Sequence, residues 1–429
     1  MGKRGLIGGV ATLALLAIPA VASARPAPPP QAKVAYRQPA PDRVFIVYGV
    51  SNKYERTALV KAGYDIGERA WADHVELFGT TREALTLTAG GYHVVPERVP
   101  TRPGSPIPYD FPPGDAAYHN YAEMVADVQA FADAHPSRAH IFHLGNSFEG
   151  RDLIGVRISD DATDNLSEPG VFYVGQHHAR EHLTVEVVLN MMHMFLEKPQ
   201  YSDLVHSRQI YIVPSLNPDG AEWDIHTGQY LFWRKNRQPP DGTDQNRNYS
   251  YNWGCCGGST SDQFGETYRG PSPFSTPEDV AMRDFIEAHP NIHTGISFHS
   301  NAELILYPYG YTYTDIPPDM TVADHNTFVA MGQKMQSTIG YPAVQSSDLY
   351  ITDGDWNDWM YGDQGRFPFT VELGGNSFYP GPGLIPIESA RVQRAVIFVA
   401  TVADCPPRVA HYVQCAAHIA HNPRVLPVR

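Results

Sequence analysis

Pro169-Gly170-Val171-Phe172-Tyr173-Val174-Gly175-Gln176-His177-His178-Ala179-Arg180-Glu181-His182 is the stretch whose reading decides the fold. Val171 to Val174 run without polar alternation, the pattern of a strand buried on both faces. Gly175 turns the chain, and residues at about 184–197 return with helical spacing. A second buried strand, Gln209-Ile210-Tyr211-Ile212-Val213, is stopped by Asn217-Pro218-Asp219-Gly220, a strong turn signal. Ser275-Thr276-Pro277-Glu278 opens a further helix with a capping-box pattern and Pro in its first turn. Strands at 294–298 and 367–373, with helices over 116–134 and near 388–403, complete the alternation. This order predicts an α/β domain: a mixed, mostly parallel twisted sheet with helices on both faces. Ligands of such sheets sit at the carboxyl ends of strands. The unusual residues fall there.

His178 and Glu181 are three residues apart, so a turn or helix start aims both side chains at one point. Neutral imidazole and carboxylate suit Zn²⁺, and a neighbouring pair needs a third ligand from elsewhere and an open position for water. Ile296-Ser297-Phe298-His299-Ser300 supplies that third ligand at another strand end. His178-x-x-Glu181-His182 also fits the inverted zincin pattern, in which both histidines bind metal and the glutamate is the base. That pattern needs a helix through all five residues, whereas the helix here is expected to start only near Thr184.

Outward from the site, 429 residues allow one large domain or two unequal ones, and the formal charge of −14 disfavours nucleic acid as a partner. Lys3 and Arg4, an apolar run from about Leu6 to Val21 and Ala22-Ser23-Ala24 read as a secretory signal over 1–24. A membrane anchor is the rival reading, but the run is short and holds glycines; no later segment is long and apolar enough to span a bilayer. The mature protein is expected outside the cell, without a membrane partner and monomeric. Residues 25–43 are a Pro- and Ala-rich linker, and 43 to about 100 read as a small α/β unit: a strand at Val44–Tyr48, a helix over 53–62 and a closing strand Tyr92–Val95. Six prolines in 99–114 then break the pattern, as at a domain junction. Four cysteines suit an oxidising compartment. Cys405–Cys415 is the simplest pair, and a bridge between the adjacent Cys255 and Cys256 is expected to be strained; the pairing stays open.

These motifs, in this order, resemble the zinc metallocarboxypeptidases of the pancreatic carboxypeptidase A and B type (the funnelins), and within them the bacterial carboxypeptidase T branch most. The resemblance spans about 110–405. It rests on Gly145-Asn146-Ser147-Phe148-Glu149-Gly150-Arg151, the His178 cluster, Asn217-Pro218-Asp219-Gly220 and Trp233-Arg234-Lys235. It continues through Asp244-Gln245-Asn246-Arg247-Asn248, His299 with Leu306-Tyr307-Pro308-Tyr309-Gly310, and Phe369-Thr370-Val371-Glu372-Leu373.

The resemblance implies one Zn²⁺ per chain on His178, Glu181 and His299, with Asp244 holding the free ring nitrogen of His178. Nothing in the sequence supports calcium. Glu372 would be the general base and Arg234 the oxyanion donor. Arg247 and Asn246 would take the substrate's α-carboxylate, Tyr350 would cap it, and Arg180 would serve an outer subsite. Asn357 falls at the position of the family's pocket floor, and Asp355 matches an acid of the carboxypeptidase T branch. Together they imply that both hydrophobic and basic terminal residues are accepted. Asn301 departs from the pancreatic pattern, which has Tyr there. By the same analogy the chain divides into 1–24 signal, 25–109 pro-segment and linker, 110–404 catalytic domain and 405–429 tail. Partners are then peptide C-termini and an activating protease, with Arg98 and Arg102 as candidate cut sites. Rival readings are a hydrolase of cell-wall peptides or N-acyl amino acids on the same scaffold, and an inactive binding module.

Overall fold

A computed structural model describes residues 43–69, 71–97, 104, 107–161 and 163–412. The expected signal and most of the linker, Arg98, Arg102 and Cys415 lie outside the described residues.

The N-terminal unit runs β1 (Arg43–Tyr48), α1 (Lys53–Lys61), β2 (His74–Gly79), α2 (Thr81–Ala89) and β3 (His93–Pro96). Its antiparallel sheet has the order β2-β1-β3 and buries Val47, Val75 and Leu77 completely. β1, α1 and β3 lie where the sequence pattern places them. β2 and α2 were not anticipated, although Thr80 and Glu83 form a reciprocal capping box that the Thr-x-x-Glu spacing announces.

The larger region continues with α3 (Tyr121–Ala134), β4 (Ala139–Asn146), β5 (Asp152–Ile158), β6 (Gly170–Gly175), α4 (Leu183–Glu197), α5 (Ser202–Ser207), β7 (Gln209–Val213) and α6 (Pro218–Ile225). It closes with α7 (Pro277–Ala288), β8 (Ile292–Ser300), β9 (Leu304–Tyr307), α8 (Val322–Ile339), β10 (Ala343–Gln345), α9 (Ser346–Leu349), α10 (Trp356–Gly362), β11 (Phe367–Leu373) and α11 (Leu384–Val402). Eight strands form one mixed sheet in the order β10-β9-β11-β8-β6-β7-β5-β4, flanked by helices. Its centre, β11-β8-β6-β7, is parallel, and β6, β7 and β11 are buried along their whole length. That explains why these strands read as uninterrupted apolar runs.

One expectation needs correction. Asn217-Pro218-Asp219-Gly220 does not stop the chain in a turn but starts α6: the Asn217 side chain accepts from the Gly220 amide at 3.1 Å, and Pro218 takes the first helical position. The pairing left open by the sequence is settled for one pair: Cys255 and Cys256 are disulfide-bonded to each other. Gly254 and Gly257 on either side adopt positive φ (+66° and +83°), so the backbone folds tightly around the adjacent pair.

Candidate active site

β6 ends at Gly175, where a Cβ would meet the Pro214 carbonyl at 2.6 Å. Glycine thus lets the strand pass close to its neighbour and then turn through residues 176–182. α4 begins only at Leu183, so His178, Glu181 and His182 do not share a helix. The Nε2 of His182 instead faces Asp224 at 2.9 Å, away from the other two. The inverted zincin reading therefore fails.

His178, Glu181 and His299 converge, with one ligand-type atom from each lying within 4.8 Å of the others, all buried. The Nδ1 of His178 is 2.7 Å from one Glu181 oxygen, the Nδ1 of His299 is 3.0 Å from the other, and the two Nδ1 atoms face each other at 3.1 Å. Two imidazole nitrogens so close cannot both carry protons. Two nitrogens and a carboxylate aimed at one point are the donor set of a catalytic zinc site, and the residues fit that ion. Burial opposes ionisation of Glu181, yet the imidazoles of His178 and His299 hold its carboxyl well below the usual range.

Asp244 lies behind the cluster. One carboxylate oxygen is 3.3 Å from His178 Nε2, an ion-pair contact rather than an aligned hydrogen bond, and the other accepts from Arg234 Nε at 3.0 Å. Burial raises its carboxyl, but Arg234 and His178 outweigh this and keep it ionised. One buried anion thus orients a ligand and the neighbouring guanidinium together.

Glu372 stands on β11 directly opposite His299 on β8. Burial, and then the Glu68 carboxylate beside it, raise its carboxyl well above the ordinary range. Arg247 donates its Nε to the Gly258 carbonyl at 2.9 Å and an NH1 to the Asn246 carbonyl at 2.6 Å. The side chain of Asn246 accepts from the Trp356 amide at 2.9 Å, tying this loop to α10. Asp355 caps α10, accepting from the Asp358 amide at 2.8 Å with one oxygen and from Thr352 with the other. Both its oxygens therefore have partners inside the protein. Asn357 donates its amide nitrogen to the Leu306 carbonyl at 3.3 Å, and its buried Oδ1 has no hydrogen-bond partner.

The N-terminal unit reaches this site, and sequence reasoning missed the residues that do it. Asp65 grips Arg180 through two contacts, 2.6 Å and 3.1 Å. The Arg180 guanidinium also lies over the rings of Phe378 at 4.1 Å and Phe78 at 4.8 Å. Glu68 accepts from the Tyr350 hydroxyl at 3.1 Å, lies 3.8 Å from Arg234, and its charge helps to raise the Glu372 carboxyl. Arg56 donates to the Leu349 carbonyl at 2.6 Å, and Lys53 pairs with Asp348 at 2.7 Å. Two acids three apart in a loop carry no distinctive signal of their own, and only the fold reveals their targets.

A family described as zinc carboxypeptidase matches residues 124–392. A zinc carboxypeptidase of Saccharothrix mutabilis subsp. capreolus is 38 % identical over 320 residues, covering 70 % of this chain and 73 % of its own. The carboxypeptidase B of Astacus astacus is 30 % identical, covering 60 % of this chain and 86 % of its own. Among solved structures, carboxypeptidase A from Helicoverpa armigera superimposes with a TM-score of 0.69 at 23 % identity, over 86 % of this chain and 98 % of its own. Bovine thrombin-activatable fibrinolysis inhibitor, in complex with a tick carboxypeptidase inhibitor, gives 0.58 at 26 % identity, over 67 % of this chain and 97 % of its own.

Proposed function

The chain belongs to the zinc carboxypeptidase family, and on that premise we propose that it is a secreted enzyme, made as an inactive precursor, that removes single residues from the C-termini of peptides and proteins. The observation that carries the reading is the convergence of His178, Glu181 and His299 with the raised carboxyl of Glu372 on the adjacent strand. Glu68 is one of the groups that raise this carboxyl, so withdrawing Glu68 favours the ionised form that accepts a proton beside the metal cluster.

His178, Glu181 and His299 would hold Zn²⁺, which when bound would supply Lewis-acid polarisation of the scissile carbonyl and a lowered pKa for water. Glu372 takes the proton from the attacking water and returns it to the leaving nitrogen as the C–N bond breaks. Arg234, fixed by Asp244, donates to the oxygen on which negative charge grows. Arg247 and Asn246 hold the α-carboxylate of the terminal residue, which restricts cleavage to chain ends. Tyr350 closes over that residue, and Arg180 contacts the chain beyond it.

The N-terminal unit supports the precursor reading. Asp65 and Glu68 occupy Arg180, Tyr350, Arg234 and Glu372, four residues assigned here to substrate or chemistry. The division remains 25–109 pro-segment and linker, 110–404 catalytic domain and 405–429 tail, with an external protease needed for release. The likeness to the Helicoverpa enzyme extends over more of the chain than the eight-stranded domain occupies, consistent in fold with a folded pro-segment. Secretion rests on the basic start, the apolar run and Ala22-Ser23-Ala24; no described helix is long and apolar enough to cross a membrane.

The side chain of the terminal residue would meet Asn357, whose unpaired Oδ1 accepts from an ammonium or guanidinium. A neutral amide does not repel apolar groups as a free carboxylate would. Hydrophobic and basic termini are thus both accommodated. The test is hydrolysis of blocked dipeptides ending in Phe, Leu, Arg or Lys by trypsin-treated, zinc-loaded protein. Absence of release from all four would sink the proposal.

A further inference from the structure

We propose that Asp353 is a positioning residue for Arg247, acting through the 256–259 loop that follows the Cys255–Cys256 disulfide; this rests on the reading of Arg247 as the α-carboxylate clamp. Asp353 is fully buried. One of its oxygens accepts from the backbone amides of Cys256 at 3.1 Å and Gly258 at 2.9 Å, and the other accepts from the Ser259 hydroxyl. A single carboxylate therefore gathers residues 256–259 around itself. The product of that gathering is a placed carbonyl: Gly258 O receives the Arg247 Nε at 2.9 Å.

The opposite side of the loop is equally tight. A Cβ on Gly258 would meet the Thr352 backbone at 2.4 Å, so the loop lies flat against the segment that follows Tyr350. The next residue along, Gly354, accepts from the Tyr249 amide at 2.9 Å and adopts a φ of +64° that brings it under the Arg247 carbonyl. The clamp, the disulfide loop and the capping segment thus meet at one anion. Guanidinium recognition of a carboxylate is directional, and its Nε–H fixes the plane of the fork. If the carbonyl partner of that Nε–H moves, the remaining N–H groups no longer face the substrate correctly. The disulfide joins two adjacent residues directly before this segment, limiting the backbone freedom of the turn that leads to Gly258.

Nothing in the chemical step passes through Asp353. Its loss weakens capture of the terminal carboxylate and spares turnover at saturation, the signature of an interaction made equally in ground and transition states. The experiment uses the full chain, activated by limited proteolysis and loaded with zinc. Asp353→Asn and Cys255→Ser/Cys256→Ser are compared with the parent on a blocked dipeptide. Inhibition by an N-acetyl amino acid, which presents an α-carboxylate, is measured beside inhibition by acetohydroxamate, which binds metal without one. We expect KM and the N-acetyl amino acid Ki to rise about tenfold or more, as misplacement of a positioning group allows, with kcat within about threefold and the hydroxamate Ki unchanged. Equal rises for both inhibitors, or no rise in either, overturn the proposal. If Asp353→Asn does not fold, the serine pair alone decides it by the same criteria. Arg247→Ala separates the two layers: if it leaves KM unaltered, the clamp assignment itself is wrong. If Arg247→Ala raises KM while the loop variants do not, only the present inference falls.

Discussion

The hydroxyl of Tyr350 donates to Glu68 at 3.1 Å, so a residue of the N-terminal unit holds the ring assigned to close over substrate. The same carboxylate faces Arg234, and Asp65 three residues earlier holds Arg180. The full chain carrying Asp65→Asn and Glu68→Gln should hydrolyse a small blocked dipeptide at least about tenfold faster than the unaltered full chain, because each charge-assisted contact contributes about 1.5–3 kcal/mol. Unchanged basal activity would show that these acids do not restrain the site.

Glu372→Gln removes the proton acceptor but keeps the shape of the side chain. Metal content, read by elemental analysis, should stay at the parent level while kcat falls by about 10²–10⁴. Retention of activity would remove Glu372 from the mechanism.

Asp244 joins His178 to Arg234, so its loss has two consequences. Asp244→Asn should weaken metal binding about 10–100-fold in competition with a chelator. It should also lower thermal stability, since the buried Arg234 loses its partner charge. A variant that binds metal as tightly as the parent would contradict the role given to this residue.

Glu76 lies buried on β2, and burial, reinforced by Glu97, pushes its carboxyl up to about 7. A folded-state value raised above the ordinary 4.5 means that the stabilising contribution is complete below about pH 4.5 and is lost as pH rises through about 7. Glu76→Gln keeps a neutral side chain at every pH. The full-chain variant should therefore melt about 2–4 °C higher than the parent at pH 8 and match it at pH 4.5. A gain of equal size at both pH values would assign the effect to packing.

The centre of the fold was legible because strands buried on both faces leave an unmistakable apolar signature: 171–174, 209–213, 294–298 and 367–373 all lie in the sheet, and α4 starts within a residue of its expected place. The metal cluster was legible for a related reason, since polar residues directly after such strands have few structural uses. Elements on the periphery were not read. β4 and β5 mix polar and apolar residues, and β9 and β10 are too short to show a period. Contacts between segments far apart in sequence leave no local trace either, which is why Asp65, Glu68 and Asp353 came only from the three-dimensional arrangement. Asp355 shows the converse: matching it by position suggested a pocket acid, whereas its oxygens cap α10 and bond Thr352.

Glu372 and His299 sit abreast on neighbouring parallel strands, with Leu373 opposite Ser300 one step on. Their separation is therefore set by the hydrogen-bond ladder and not by any loop. Insertions after either strand can lengthen the rim of the cleft, and so alter what it admits, while the chemistry beneath stays in alignment. A single residue added within 294–299 or 367–372 would instead turn one partner to the opposite face of the sheet. Diversification of this scaffold is thus free at its edges and forbidden along its two central rungs.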